Sequence, residues 1–204
     1  MLAIVYHDPG DESGHEMVRE LARKVEEVSG VRVRALPMSF VEETEKPFNR
    51  GELVYSLIPF RGGHLATIIE KTRESGALYI GKIPLEIISM SLVKSLKGCE
   101  KATLLYWKAK RFVNEQREDL GSLVKSIKEN LGVDVDLETD VAKASGCIAV
   151  LTLLPGRVTR KALELHGHSS VKIPFLFRAI EEEIVKHVTG VLESLVKTEA
   201  NKRV

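Results

Sequence analysis

Aromatic residues are scarce in this chain: they make up 5% of 204 residues, and Trp107 is the only tryptophan. Cysteine is nearly absent. Cys99 and Cys147 lie far apart and show no metal-ligand spacing, which argues against a cysteine-based zinc site; they read as buried free thiols, with a disulfide between them as the alternative. Net charge is almost absent too. At +1 there is no strong overall field to draw in nucleic acid or a membrane surface, so any charged site must be local. No apolar run approaches the ~18 residues of a membrane span, and acidic residues occupy the first dozen positions where a signal peptide would be apolar. The expectation is therefore a cytoplasmic protein with no nucleic-acid or membrane partner. Neither a Gly-x-Gly-x-x-Gly after Tyr6 nor a Walker loop is present, which removes the nucleotide-fold fingerprints, and no nucleophile stands beside a paired base. Glutamine occurs once, at Gln116, while Lys, Arg and Glu are plentiful, a composition that leans towards heat-adapted proteins.

What is present alternates. Leu2 to Tyr6 reads as a buried strand stopped by Asp8-Pro9-Gly10. Ser13 with Glu16 three residues on suggests a capping box for a helix striped by Met17, Leu21, Val25 and Val28 and ended by Gly30. Val31 to Met38 is a second strand, and Phe40 to Arg50 a polar loop with at most a turn of helix. A strand over 53–58, a helix over 65–75, a strand over 77–80 and a helix over 85–96 follow. This pattern predicts an α/β protein with a mostly parallel sheet covered by helices on both faces.

The pattern then recurs. Thr103-Leu-Leu-Tyr-Trp107 matches Ala3-Ile-Val-Tyr-His7, and a helix over 115–130 and a strand over 133–137 follow. Cys147 to Glu164 lies over Leu53 to Glu70 without a gap, and Lys172-Ile173-Pro174 echoes Lys82-Ile83-Pro84. Two topologically equivalent halves are expected, 1–98 and 99–204, with a polar, frayed end from about Thr198. The polar features do not recur. Trp107 stands where the first half has His7, and Val158 where it has His64.

His7 and His64 both follow strands, so in one parallel sheet they meet at the same edge, where such sheets bind ligands. Two neutral imidazoles facing each other can hold a divalent metal loosely and accept protons. Gly62 and Gly63 suggest a sharp turn and close approach of a flat ligand. Either histidine alone reads equally as a loop hydrogen-bonding residue. Of the others, His15 reads as a surface or capping residue, His166 and His168 as part of a turn at the far sheet end, and His187 as surface.

Tyr6-His7, then Phe40-Val41-Glu42 with Glu45-Lys46-Pro47, then Ile58-Pro59-Phe60-Arg61-Gly62-Gly63-His64 resemble the CbiX/SirB type of sirohydrochlorin chelatase, in the class II chelatase superfamily. Tyr6 replaces a glycine of the usual motif, Asp8-Pro9 replaces Gly-Ser, and the loop before His64 is shorter. The resemblance implies two flavodoxin-like lobes with a cleft between them, and insertion of cobalt, nickel or iron into sirohydrochlorin or a related tetrapyrrole, with the metal as substrate and no organic cofactor. It implies His7 and His64 as metal ligands and proton acceptors, with Glu42 assisting. The substrate's carboxylates call for cationic groups in the cleft. Arg61 is the first choice, then Lys46 and Arg50, with Lys108, Lys110 and Arg111 also available, and Trp107 is a candidate stacking ring. A non-catalytic tetrapyrrole- or metal-binding protein of the same fold is the alternative, as is a structural or regulatory protein whose histidines are incidental. A chain with two such lobes suits a monomer, with a homodimer equally open.

Overall fold

The computed structural model describes residues 1–201. The first half contains β1 (Leu2–Tyr6), α1 (Glu12–Ser29), β2 (Val33–Pro37), α2 (Met38–Glu43), β3 (Leu53–Ser56), α3 (Gly63–Glu74), β4 (Leu78–Lys82) and α4 (Leu85–Ser95). The second contains β5 (Lys101–Leu105), α5 (Val113–Leu131), β6 (Asp134–Glu138), a 3-10 turn (Val141–Lys143), β7 (Cys147–Val150), α6 (Arg157–Ser170), β8 (Val171–Ile173) and α7 (Phe177–Asn201). α7 stays helical through Asn201, past the expected fraying at Thr198, and residues 202–204 lie outside the described residues.

Each half forms a four-stranded, all-parallel sheet, in the orders β2-β1-β3-β4 and β6-β5-β7-β8. The correspondence extends to register. Leu2 pairs with Val33 and Leu53, as Ala102 pairs with Val135 and Cys147. A register break falls between Val54 and Tyr55 in one sheet and between Ile148 and Ala149 in the other.

Strand alternation explains how the sheets stack. Leu2, Ile4 and Tyr6 point to one face of β1 and join a large central core, while Ala3 and Val5 point to the other and pack with Val41, Val54 and Ile68. β5 divides in the same way, with Ala102 and Leu104 central and Leu105 outward. α1, α4, α5 and α7 lie between the two sheets; α1 packs on α7, and α4 on both α5 and α7. Lys24 on α1 donates to Glu181 on α7 (2.7 Å), and Ser89 on α4 to Ser126 on α5 (2.6 Å). The central core thus draws on both halves. Among the described residues, no helix is long and apolar enough to cross a membrane.

Several local expectations are corrected. Asp11, not Ser13, caps α1: its carboxylate accepts from Gly14 N (3.2 Å) and from the Ser13 hydroxyl. The turn of helix allowed for after β2 is present as α2, but it begins at Met38, which was assigned to the strand. The cysteines are not free thiols. Cys99 and Cys147 form a disulfide, with Cα atoms 6.1 Å apart. β5 and β7 are adjacent parallel strands, so the link leading into β5 and the first residue of β7 enter the sheet side by side.

Arg34 lies on β2. Its guanidinium grips Glu52 in two hydrogen bonds (2.8 and 2.6 Å), and Glu52 also accepts from Asn49 N (2.8 Å). Glu52 is 2% exposed. Burial raises its pKa, but the Arg34 and Asn49 hydrogen bonds and the Arg34 charge outweigh burial and leave it below the ordinary glutamate value. Its contribution is therefore present above the unfolded-state pKa and lost as pH falls through the lowered folded one. Glu52→Gln should destabilise the protein by about 3 kcal/mol at neutral pH, because it leaves Arg34 without its charge partner. In urea titrations, the gap between wild type and variant should close as the pH falls through the lowered folded-state pKa of Glu52.

Candidate metal and substrate site

Strand order reverses between β1 and β3: the chain leaves β1 for β2 on one side and returns to β3 on the other. The carboxyl ends of these strands flank the crevice that such a reversal opens. His7 follows β1, and His64 lies in the first turn of α3, after β3. Their ring centroids are 5.0 Å apart with planes at 88°. His7 is exposed and the His64 side chain 44% exposed, so the pair opens to solvent.

Hydrogen bonding orients both rings. His64 Nδ1 lies 3.0 Å from Glu42 Oε1, and His7 Nδ1 lies 3.2 Å from Asp8 O. A carboxylate and a carbonyl only accept, so each Nδ1 carries the proton when the ring is neutral. Each Nε2 is left with a lone pair, the atom that binds a metal or takes a proton. Glu42 reaches His64 because α2 is docked by Asp8, whose carboxylate accepts from Ser39 N (2.8 Å) and from the Ser39 hydroxyl (2.5 Å). The departure Asp8-Pro9 from the usual motif therefore has a local task. It caps the helix that carries Glu42.

The loop carrying His7 is set by Gly14. A methyl group there would stand 2.3 Å from Pro9 Cβ. Gly14→Ala, which would favour an ordinary helix by about 1 kcal/mol, should here destabilise by about 1–3 kcal/mol and displace His7. A fall in chemical denaturation midpoint, together with loss of the ligand response of His7, checks this. Gly62 and Gly63 do not use glycine's backbone freedom. Gly62 is extended (φ 175°), and neither residue has the positive φ that a glycine turn would require. They face the second half across the cleft: a methyl at Gly62 would meet Ala109 Cβ at 3.6 Å, and one at Gly63 would meet Arg111 Cβ at 3.8 Å.

The halves meet strand end to strand end. The Gly10 amide donates to Pro155 O (3.4 Å), so the loop after β1 touches the loop after β7. The loop after β3 likewise lies against 109–111, after β5. Arg61 takes part in this junction. Its backbone N–H and its Nε each donate to the Asp119 carboxylate at 2.8 Å, and its terminal nitrogen donates to Glu118 (3.0 Å). Asp119 is 4% exposed, so Arg61 is committed to the second half. Beneath it, Lys82 donates to Pro59 O (2.7 Å), and burial lowers its pKa.

The structure brings His7, His64 and Glu42 together, with Gly62 and Gly63 beside them. Lys46 is exposed after α2, and the carbonyl of its neighbour Glu45 accepts from Lys71 on α3 (3.3 Å). Arg50 packs over Gly76 at the amino-terminal edge of the sheet. Trp107 stands at the end of β5 and is 71% exposed. His15 Nδ1 lies 2.7 Å from the Tyr6 hydroxyl, whose pKa is raised by burial and then by Asp8. His166 donates to Val141 O in a turn contact (2.7 Å). His187 is not a surface residue. It is half-buried, with its ring 5.9 Å from that of Tyr55, and burial lowers its pKa. The depression along α7 from His187 to Thr198 is lined without a carboxylate or a second imidazole. Asp8 enters the sequence reading only as a turn residue and a departure from the motif, Gln116 only as a feature of composition, and Asp119 not at all. The one available signal was that Gln116 is the sole glutamine.

Two parallel sheets with matched order, a shared helical layer and a crevice at the strand ends define a two-lobed chelatase-type α/β fold. No protein-family model matches the chain, and no curated protein matches it in sequence. Among solved structures it is similar to CbiX, described as the terminal enzyme for biosynthesis of siroheme in denitrifying bacteria. The two superpose with a TM-score of 0.60 at 14% identity, over 93% of this chain and 98% of that one. The fold is therefore that of CbiX.

Proposed function

We propose that the protein inserts a divalent metal ion, cobalt with nickel or iron as relatives, into sirohydrochlorin or a similar tetrapyrrole. The observation that carries this reading is the facing pair His7 and His64, 5.0 Å apart at the strand-order reversal, each ring tied through Nδ1 so that Nε2 is free. Metallation exchanges two pyrrole N–H protons for one metal ion. The chain needs a hold on the incoming metal weak enough to release it, and acceptors for the protons. Two imidazoles supply both, first as ligands and then, once the metal has moved into the ring, as bases. Glu42 keeps the His64 ring in place and stabilises the imidazolium after proton transfer. Because both cleft walls come from one chain, a monomer is sufficient.

The test is the absorption change of sirohydrochlorin on addition of Co(II). The wild-type protein should accelerate it well above the uncatalysed rate. A protein that binds the pigment with no acceleration would instead be a tetrapyrrole carrier.

A further inference from the structure

With Arg61 held by Asp119 and Glu118, cations that form no ion pair among the described residues reach the cleft from the second half, where Arg111 lies against Gly63. Lys108, Lys110 and Arg111 are exposed on the loop between β5 and α5 and have no acidic partner. The reason is visible in the structure. On α5, Glu118 and Asp119 are both taken by Arg61 from across the cleft, and Glu115 in the first turn forms no ion pair with the loop.

This loop is also built, whereas a merely solvated turn needs no frame. Gln116, 8% exposed on α5, accepts from Ala109 N (2.8 Å) and donates to Trp107 O (2.9 Å). Phe112, at the start of α5, is the only non-glycine residue with positive φ among the described residues (59°), and the Arg111 guanidinium lies 5.6 Å from its ring centroid. The loop thus presents an exposed indole and three uncompensated cations, with Arg111 packed against Gly63, the residue before His64. An exposed aromatic face beside clustered cations suits a planar polyanion.

We propose that Trp107 to Arg111, framed by Gln116, is the anion-recognition element of the site, taking the peripheral carboxylates of a planar polycarboxylate macrocycle. The choice of a macrocycle as ligand rests on the tetrapyrrole reading above. Gln116 is a positioning residue: it holds the loop backbone and does not touch the ligand.

Because Trp107 is the only tryptophan, its emission reports directly on this loop. The probes are uroporphyrin I, with eight carboxylates, and coproporphyrin I, with four. Uroporphyrin should quench the emission at lower concentration than coproporphyrin. The double variant Lys110→Gln, Arg111→Gln should weaken uroporphyrin binding by about 10-fold or more, at about 3- to 10-fold per charge removed, and flatten its salt dependence. Gln116→Leu should weaken binding with all three cations intact, while Lys125→Gln, remote on α5, should change nothing. Thermal melts confirm folding, and the double variant alters only exposed positions. Wild-type affinity and salt dependence in the double variant would overturn the proposal, as would failure of uroporphyrin to quench the wild type. Quenching without cobalt insertion into sirohydrochlorin would leave the loop assignment standing and remove the chelatase reading. Insertion that is indifferent to the loop variants would do the reverse.

Discussion

His64→Ala should lower the rate of cobalt insertion into sirohydrochlorin by about 100- to 10,000-fold, the range for loss of a positioned acid–base group. The substitution removes a metal ligand and a proton acceptor together. It should leave stability nearly unchanged, because His64 is half-exposed and its hydrogen bond is to an exposed Glu42. His7→Ala should have a loss of the same order, since neither imidazole alone bridges the crevice. Glu42→Gln is the informative intermediate. It preserves shape but removes the charge that fixes the His64 tautomer, and should cost about 10- to 100-fold. If all three variants metallate at the wild-type rate with normal melting curves, the pair is not the site of chemistry.

Removing the disulfide should have the largest effect on stability. Cys99 and Cys147 are 48 residues apart, and in the chain-entropy picture closing a loop of that length stabilises the fold by about 4 kcal/mol. The double variant Cys99→Ala, Cys147→Ala, or the reduced wild type, should melt roughly 10 °C lower. Metallation at moderate temperature should persist, because the bond lies at the amino-terminal edge of the second sheet and the histidines lie beyond the carboxyl ends of the first. Equal melting of oxidised and reduced protein would show that the crosslink does not constrain the unfolded chain.

The inner strands were legible in the sequence because they are buried on both faces and read as short apolar runs bounded by turn residues, whereas the edge strand β6 was read from its alternation. Leu2–Tyr6 and Cys147–Val150 are of this kind. His7 and His64 were legible as a pair for the same reason, since adjacent parallel strands must bring their carboxyl ends together. Contacts made at long range left no local trace. Asp8 caps a helix 31 residues away, and Arg61 finds Asp119 after 58. Arg61 looked like a substrate group because a loop arginine beside glycines has no visible partner in its own neighbourhood. The cysteines misled in the same way, since only the adjacency of β5 and β7 brings them together. The two glycines before His64 suggested a sharp turn, yet Gly62 is extended and Gly63 already begins α3.

The helical layer between the sheets bears on how the crevice works. α7, the last helix of the second half, packs on α1 of the first, and its His187 lies against Tyr55 of β3. Each half is thus braced by helices of the other, and the Arg61–Asp119 clasp pins the rims together. Such an arrangement opposes hinge motion between the halves. Under the chelatase function proposed above, strain in a bound macrocycle would come from the shape of the walls, so helix packing far from the histidines would itself select which rings can be bent.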